Sequence, residues 1–427
     1  MRYAILGLFA GLMATVAVPA HARTPEQTAQ SALRAAPVWD GHNDVPIQLR
    51  GRFGDVIDEF DFRDTTNTGA DEGGGNFKGR VMQTDLARLR KGKVGAQFWS
   101  VFVSAELPEP QAVQATLEQI DVTRRLIAKY PSDLSLALTS ADVSRAMAQG
   151  RIASLMGIEG GHQIGSSLGV LRQMYSLGVR YMTLTHYKNV PWADSSNEPP
   201  VNDGLSDFGR QVVREMNRLG MLVDLSHTSE ATMMDVLDEA KAPVMFSHSG
   251  ARGVVDHSRN VPDAVLRRLP KNGGIVMVIA YPGHVSRERQ VWGAAYDAEQ
   301  ARAKAFHPGD PDAAKAAFGE WMTANPVPVA TVSQMADHVD HIRKIAGIDH
   351  IGIGGDYDGM PIGPEGMEDV SGYPKLFAEL ARRGYSRADL MKISSGNMMR
   401  VMRAAERYAA AHRDDKPIEA PLPAIGD

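Results

Sequence analysis

Eight short apolar runs, rich in β-branched and aromatic residues and bounded by glycine or polar clusters, punctuate the chain after its first two dozen positions. They predict strands over 37–44, 96–104, 153–160, 180–186, 221–227, 243–249, 274–281 and 350–358. Between them the pattern changes to helical periodicity. SLGVLRQMYSLG precedes the fourth run, LSDFGRQVVREMNRLG the fifth, TSEATMMDVLDEA the sixth, PDAVLRRLPKNG the seventh and VSQMADHVDHIRKIAG the eighth. Several of these end in glycine just before the next strand, as a helix terminus should. Alternating strands and helices imply a parallel sheet, and eight such units imply a closed (β/α)₈ barrel of the TIM type. The expected organisation is one α/β catalytic domain over 23–427. Two long connections, near 50–94 and 282–329, are candidates for walls over the barrel mouth. The first contains TGADEGGGNFKG, which has no following GK[ST] and so is not read as a phosphate loop. The last helical stretch, about 386–412, is expected against the barrel exterior.

The first 22 residues have a different pattern. Arg2 precedes an apolar run to about Val18, and Ala20-His21-Ala22 fits a small-residue cleavage site. The run is short for a membrane span. A signal peptide over 1–22 is the expectation, with an exported product, periplasmic or secreted, beginning near Arg23. The C-terminal KPIEAPLPAIGD is polar and proline-rich, so no stable membrane anchor is expected. The chain has no cysteine, which excludes disulfides, thiol catalysis and thiolate metal ligands. A net charge of −5 over 427 residues gives no reason to expect nucleic acid as a partner.

Candidate chemistry gathers at the predicted strand ends. His42 and Asp44 end the first, Glu159 the third, His186 the fourth, His227 the fifth, His248 the sixth, Tyr281 the seventh, and Asp356 and Asp358 the eighth. Active sites of such barrels are built at those ends. Strand side chains alternate, so His42 and Asp44 can share one cation. Glu159, flanked by glycines in GIEGG, can bridge two cations through its two oxygens, with His227 and His248 on the second. Imidazole and carboxylate ligands without thiolate suit zinc, with manganese or cobalt as alternatives. Two such ions about 3.5–4 Å apart can lower the pKa of a shared water to about 7. His186 is either a further ligand or an oxyanion stabiliser, and Asp356 can exchange a proton with the nucleophile and the leaving amine. Blander readings apply elsewhere. His338 and His341 are expected on a solvated helix face, Lys188 on the surface, and His162 and His257 in loops near the mouth.

DGHND at 40–44, GIEGG at 157–161, LTHYKNVPWADS at 184–195, DLSHTS at 224–229, FSHSGAR at 246–252, HSRNVPD at 257–263 and GIGGDYDG at 352–359 occur in this order. Together they resemble the membrane (renal) dipeptidase family of zinc metallopeptidases, within the amidohydrolase-like barrels. The resemblance implies two Zn²⁺ per chain, His42 and Asp44 on one, His227 and His248 on the other, and Glu159 between them. It implies hydrolysis of free dipeptides, L-Xaa-L-Xaa and L-Xaa-D-Xaa, by a metal-bridging hydroxide. His186 is implied at the scissile carbonyl, Arg259 on the substrate carboxylate, Asp356 as catalytic acid/base and Tyr281 as a substrate contact. It also suggests a homodimer. The family's animal members have cysteines and a lipid-anchor signal, which this chain lacks, and a cysteine where Lys188 stands. Two other functions fit the residues less well. One is a lactonase or phosphotriesterase-like binuclear hydrolase, whose bridge is commonly a modified lysine on the fourth strand. The other is a non-catalytic exported peptide-binding protein.

Overall fold

The computed structural model describes residues 23–70 and 79–421, so the expected signal peptide and most of the glycine-rich stretch lie outside the described residues. The strands are β1 (Val38–Asn43), β2 (Val94–Phe102), β3 (Leu134–Leu136), β4 (Ile152–Glu159), β5 (Val179–Thr183), β6 (Leu222–Asp224), β7 (Met245–Ser249), β8 (Ile275–Val278) and β9 (Ile351–Ile353). All pair in parallel, in the order β2-β1-β9-β8-β7-β6-β5-β4, and a long β2–β4 ladder closes the ring. This is a (β/α)₈ barrel. β3 is the element beyond the expected eight. It pairs with Ile152–Ser154, while β5 pairs with β4 only from Met156 onward. Three residues, two of them half-buried, carry too little pattern to read as a strand.

The inner faces of the strands fill the lower barrel with large apolar groups. Trp39, Phe98, Leu155, Tyr181, Leu222, Met245 and Met277 form one buried cluster with Met398, Val401, Met402 and Ala405. Each fully buried side chain of this kind stabilises the fold by about 1.5–3 kcal/mol. Met398 to Ala405 belong to the helix Asn397–Ala411, which crosses the N-terminal ends of the strands. Arg400 donates to the carbonyls of Gly273 and Asp349, just before β8 and β9, and Asn397 donates to those of Ile348 and Ile351. The last helical stretch therefore plugs the barrel floor rather than lying on its exterior. Its apolar positions Met398, Val401, Met402 and Ala405 meet the lower ends of the inward rows instead of an outer face.

The two long connections differ. In the first, Arg80, Val81 and Gln83 reach the barrel mouth. The second is mostly a helix pair, Arg287–Phe306 and Pro311–Ala324, held by Trp292, Tyr296, Phe318 and Trp321. From it only His284 of the described residues lines the mouth cavity.

β1 and β9 share a single ladder position, Asp40 with Ile353, and the seam is completed by other means. Asp40 accepts from the Gly355 N–H and the Tyr373 hydroxyl, at 2.8 and 2.5 Å. Beyond the strand ends, Asp356 N–H donates to the His42 carbonyl (3.1 Å) and Asp44 N–H to that of Tyr357 (2.9 Å). This stitching brings the two acidic strand ends together.

Candidate active site

The mouth holds a cavity of about 470 Å³, ordinary for a small-molecule site. Asp44, Glu159, His186, His227, His248, Arg259, Tyr281 and Asp356 all line it. His42 is fully buried beneath them. Every residue singled out for the site is thus in one place.

Glu159 is the centre. Its Oε2 lies 3.4 Å from His42 Nε2 and accepts from Ser100 Oγ at 3.1 Å. Its Oε1 lies 3.1 Å from His227 Nε2, 3.3 Å from His248 Nε2 and 3.8 Å from His186 Nε2. The two oxygens therefore serve two different imidazole groups. His42 Nε2 is also 3.4 Å from Asp44 Oδ2, as alternation along an extended strand requires. The ligand atoms fall into three compact groupings: His42-Asp44-Glu159, Glu159-His227-His248, and His42-His248-Asp356. The third, with Asp356 within ligand distance, went unforeseen.

Local backbone makes this convergence. Gly160, at φ 116°, turns the chain directly after Glu159, and a Cβ there would sit 2.6 Å from the His162 ring. His186, His227, Tyr281 and Asp356 stand three residues past the ends of β5, β6, β8 and β9, not on the strands as expected. His227 and Asp356 adopt left-handed φ of 68° and 62°, which cannot continue a pleated ladder. Strain of this kind is concentrated at functional sites.

Burial alone opposes charge on Glu159, but the imidazoles of His42, His186, His227 and His248 gathered around it hold its pKa well below the usual range. Burial pushes His227 and His248 well below theirs, which leaves neutral imidazoles suited to ligation. Burial opposes a proton on His42 too, yet Tyr181, Glu159 and Asp44 outweigh it and lift the pKa. The carboxylates around His42 thus favour a positive charge at this point, as a cation would supply. Burial and then Asp44 raise Asp356 well above the carboxylate range, favouring its protonated form. His186 is lowered to about 4 by burial. Burial also lowers Arg259, to about 10, so it stays a cation at neutral pH. Its guanidinium is anchored by the His248 carbonyl at 3.2 Å.

The sequence reading missed the supports. Ser100 bonds Glu159, Tyr181 Oη lies 2.8 Å from His42 Nδ1, and Ser247 Oγ lies 2.8 Å from His248 Nδ1. A usable signal existed for two of them: Ser100 and Ser247 are polar residues inside otherwise apolar runs. His338 overturns its expected exposure. It is fully buried, accepts from Ala251 N–H at 2.8 Å and lies 3.3 Å from the Val285 carbonyl. Lys188 pairs with Glu106 at the surface, as expected.

A model of the membrane dipeptidase family, peptidase family M19, matches residues 26–416. The chain belongs to that family. Dipeptidase 3 of Macaca fascicularis is 41% identical over 400 residues, which covers 92% of this chain and 70% of the relative. Dipeptidase 3 of Homo sapiens is 40% identical over the same shares. Among solved structures, the probable dipeptidase PvdM from Pseudomonas aeruginosa superposes with a TM-score of 0.74 at 26% identity, covering 90% of this chain and 99% of that one. This membrane dipeptidase family member is accordingly a metal-dependent dipeptidase, a hydrolase with a buried histidine–carboxylate site at the mouth of its barrel.

Proposed function

We propose that the protein hydrolyses free dipeptides, L-Xaa-L-Xaa and L-Xaa-D-Xaa, with two zinc ions. One would be held by His42 and Asp44, the other by His227 and His248, and Glu159 would serve both. The observation that carries this is the division of Glu159, one oxygen towards His42 and the other towards His227 and His248. The donor set is nitrogen and oxygen only, which suits zinc. Bound there, the ions would supply a water of lowered pKa and Lewis acidity at the carbonyl.

The chain's own residues do the rest. Arg259 offers a planar, cationic fork to the dipeptide carboxylate from the cavity wall. Asp356 holds a proton beside the reacting atoms and delivers it to the leaving amine. His186, neutral and packed against Phe102 and Tyr187, presents a ring nitrogen towards the scissile carbonyl oxygen. Tyr281, stacked on His284, borders the substrate. The protein acts after export and as a homodimer. Among the described residues no helix is long and apolar enough to cross a membrane.

The test is hydrolysis of an L-L and L-D dipeptide panel by zinc-loaded protein, with N-acetylated, amidated and tripeptide controls, each with and without chelator. Chelator-sensitive cleavage of free dipeptides alone is expected. Failure to cleave by protein shown to hold two zinc ions would overturn the substrate assignment.

A further inference from the structure

Asp224, at the end of β6, receives four hydrogen bonds while fully buried. Its Oδ1 accepts from the backbone N–H groups of Ser226 (3.1 Å) and Ser247 (2.7 Å). Its Oδ2 accepts from the hydroxyls of Thr183 (2.5 Å) and Ser247 (2.6 Å). A carboxylate surrounded by four donors has no proton to give. The single hydroxyl proton of Ser247 therefore points at Asp224. Ser226 Oγ, 3.4 Å away, is too distant to compete for it.

Ser247 Oγ also lies 2.8 Å from His248 Nδ1. With its proton committed, the hydroxyl can only accept from that nitrogen, so Nδ1 bears the ring hydrogen. A neutral imidazole then has a bare lone pair on Nε2. That atom faces Glu159 Oε1 at 3.3 Å and His227 Nε2 at 3.0 Å.

We propose that Asp224 and Ser247 are positioning residues that lock His248 in its Nδ1–H tautomer and so aim a bare Nε2 at the cation site. The part concerning a cation rests on the two-zinc reading above, while the tautomer itself does not. Outer partners of metal-ligating histidines commonly set affinity by 10–100-fold. Three adjacent strands, β5, β6 and β7, supply this one, so the ring orientation is built into the barrel wall.

Asp224→Asn makes the sharpest test. The two backbone N–H groups would hold the amide oxygen where Oδ1 now stands. The amide nitrogen would then face both hydroxyls. Ser247 would accept from it and turn its own proton to His248 Nδ1, moving the ring hydrogen to Nε2. A change that preserves shape would thus aim an N–H at the cation. Ser247→Ala removes the relay without inverting it.

The measurements are ¹⁵N chemical shifts of the histidine rings in metal-free protein and zinc affinity by competition with a chromophoric chelator. The His248 signals are assigned by their loss in His248→Gln, and folding is checked by thermal melting. The parent should show Nδ1–H. Zinc binding should weaken about 10-fold in Ser247→Ala and about 100-fold in Asp224→Asn, with the ring assignments exchanged in the latter. An Nε2–H tautomer in the parent, or folded variants that bind zinc as tightly as the parent, would overturn the proposal. If Asp224→Asn does not fold, the parent tautomer and Ser247→Ala decide. Tautomer and affinity as expected, with no dipeptide cleaved by the parent, would sink the substrate assignment and leave this inference intact.

Discussion

Glu159 has one oxygen for each half of the site, so its replacement separates two effects that other substitutions confound. Glu159→Gln keeps the shape but replaces one charged oxygen with a donor that cannot ligate. We expect metal analysis to fall from two ions per chain to one or none, with activity lost. Two retained ions would refute the bridging role. Arg259→Ala should cost about 2–3 kcal/mol in kcat/KM for dipeptides with a free carboxylate. Amidated dipeptides should lose far less, and equal losses would remove Arg259 from carboxylate recognition. Asp356→Asn should leave both ions bound and lower kcat by about 10²–10⁴-fold. Loss of metal instead would make Asp356 a ligand, as its place near His42 and His248 allows.

The helix Val332–Ile345 carries a prediction of its own, because its buried His338 joins the loop at Ala251 to the turn at Val285. Burial lowers its pKa from 6.5 to about 4. Between those values the unfolded chain binds the proton and the folded one does not. Stability from this group is therefore complete above pH 6.5 and is lost as pH falls towards 4, by roughly 3 kcal/mol in all. His338→Gln should be less stable at pH 8 by about 1–2 kcal/mol. Urea titrations should show a flatter acid dependence for it than for the parent, and parallel curves would contradict the assignment. The same helix shows where sequence reading stops. Its extent matches the helical pattern of VSQMADHVDHIRKIAG, and in the structure a Thr331–Gln334 capping box sets its start. The burial of His338 does not follow from that pattern, because Asp337 beside it is exposed and the ring is covered by segments distant in sequence, the loop at Gly250–Ala251 and the turn at Val285. Likewise β3 is too short to announce itself, and PDAVLRRLPKNG forms two short helices, Asp263–Leu266 and Leu269–Asn272, where one was expected.

At the scale of the whole molecule, closing the barrel is what turns scattered strand-end residues into one site. His42 and Asp356 are far apart in sequence and meet only because β1 pairs β9. The residue types were legible because a chain without cysteine that repeats histidine and carboxylate at strand ends leaves few other chemistries. Of the supports, Ser100 and Ser247 left a polar mark inside apolar runs, whereas Tyr181 reaches His42 across the barrel, a contact no local pattern encodes. Cations at this seam should also hold the fold together. At free zinc about 1,000 times the dissociation constant, binding adds about 4 kcal/mol to stability. Chelation should accordingly lower the melting temperature, and an unchanged melt would mean that no ion is bound tightly to the native state.

The plug formed by Met398, Val401, Met402 and Ala405 has a further consequence. The ribosome makes the floor of this barrel after all of its walls. Until that segment has emerged, Trp39, Phe98, Tyr181 and Met277 have no lower surface to rest on. The growing chain therefore completes the lower half of its core only after every strand of the barrel has been made.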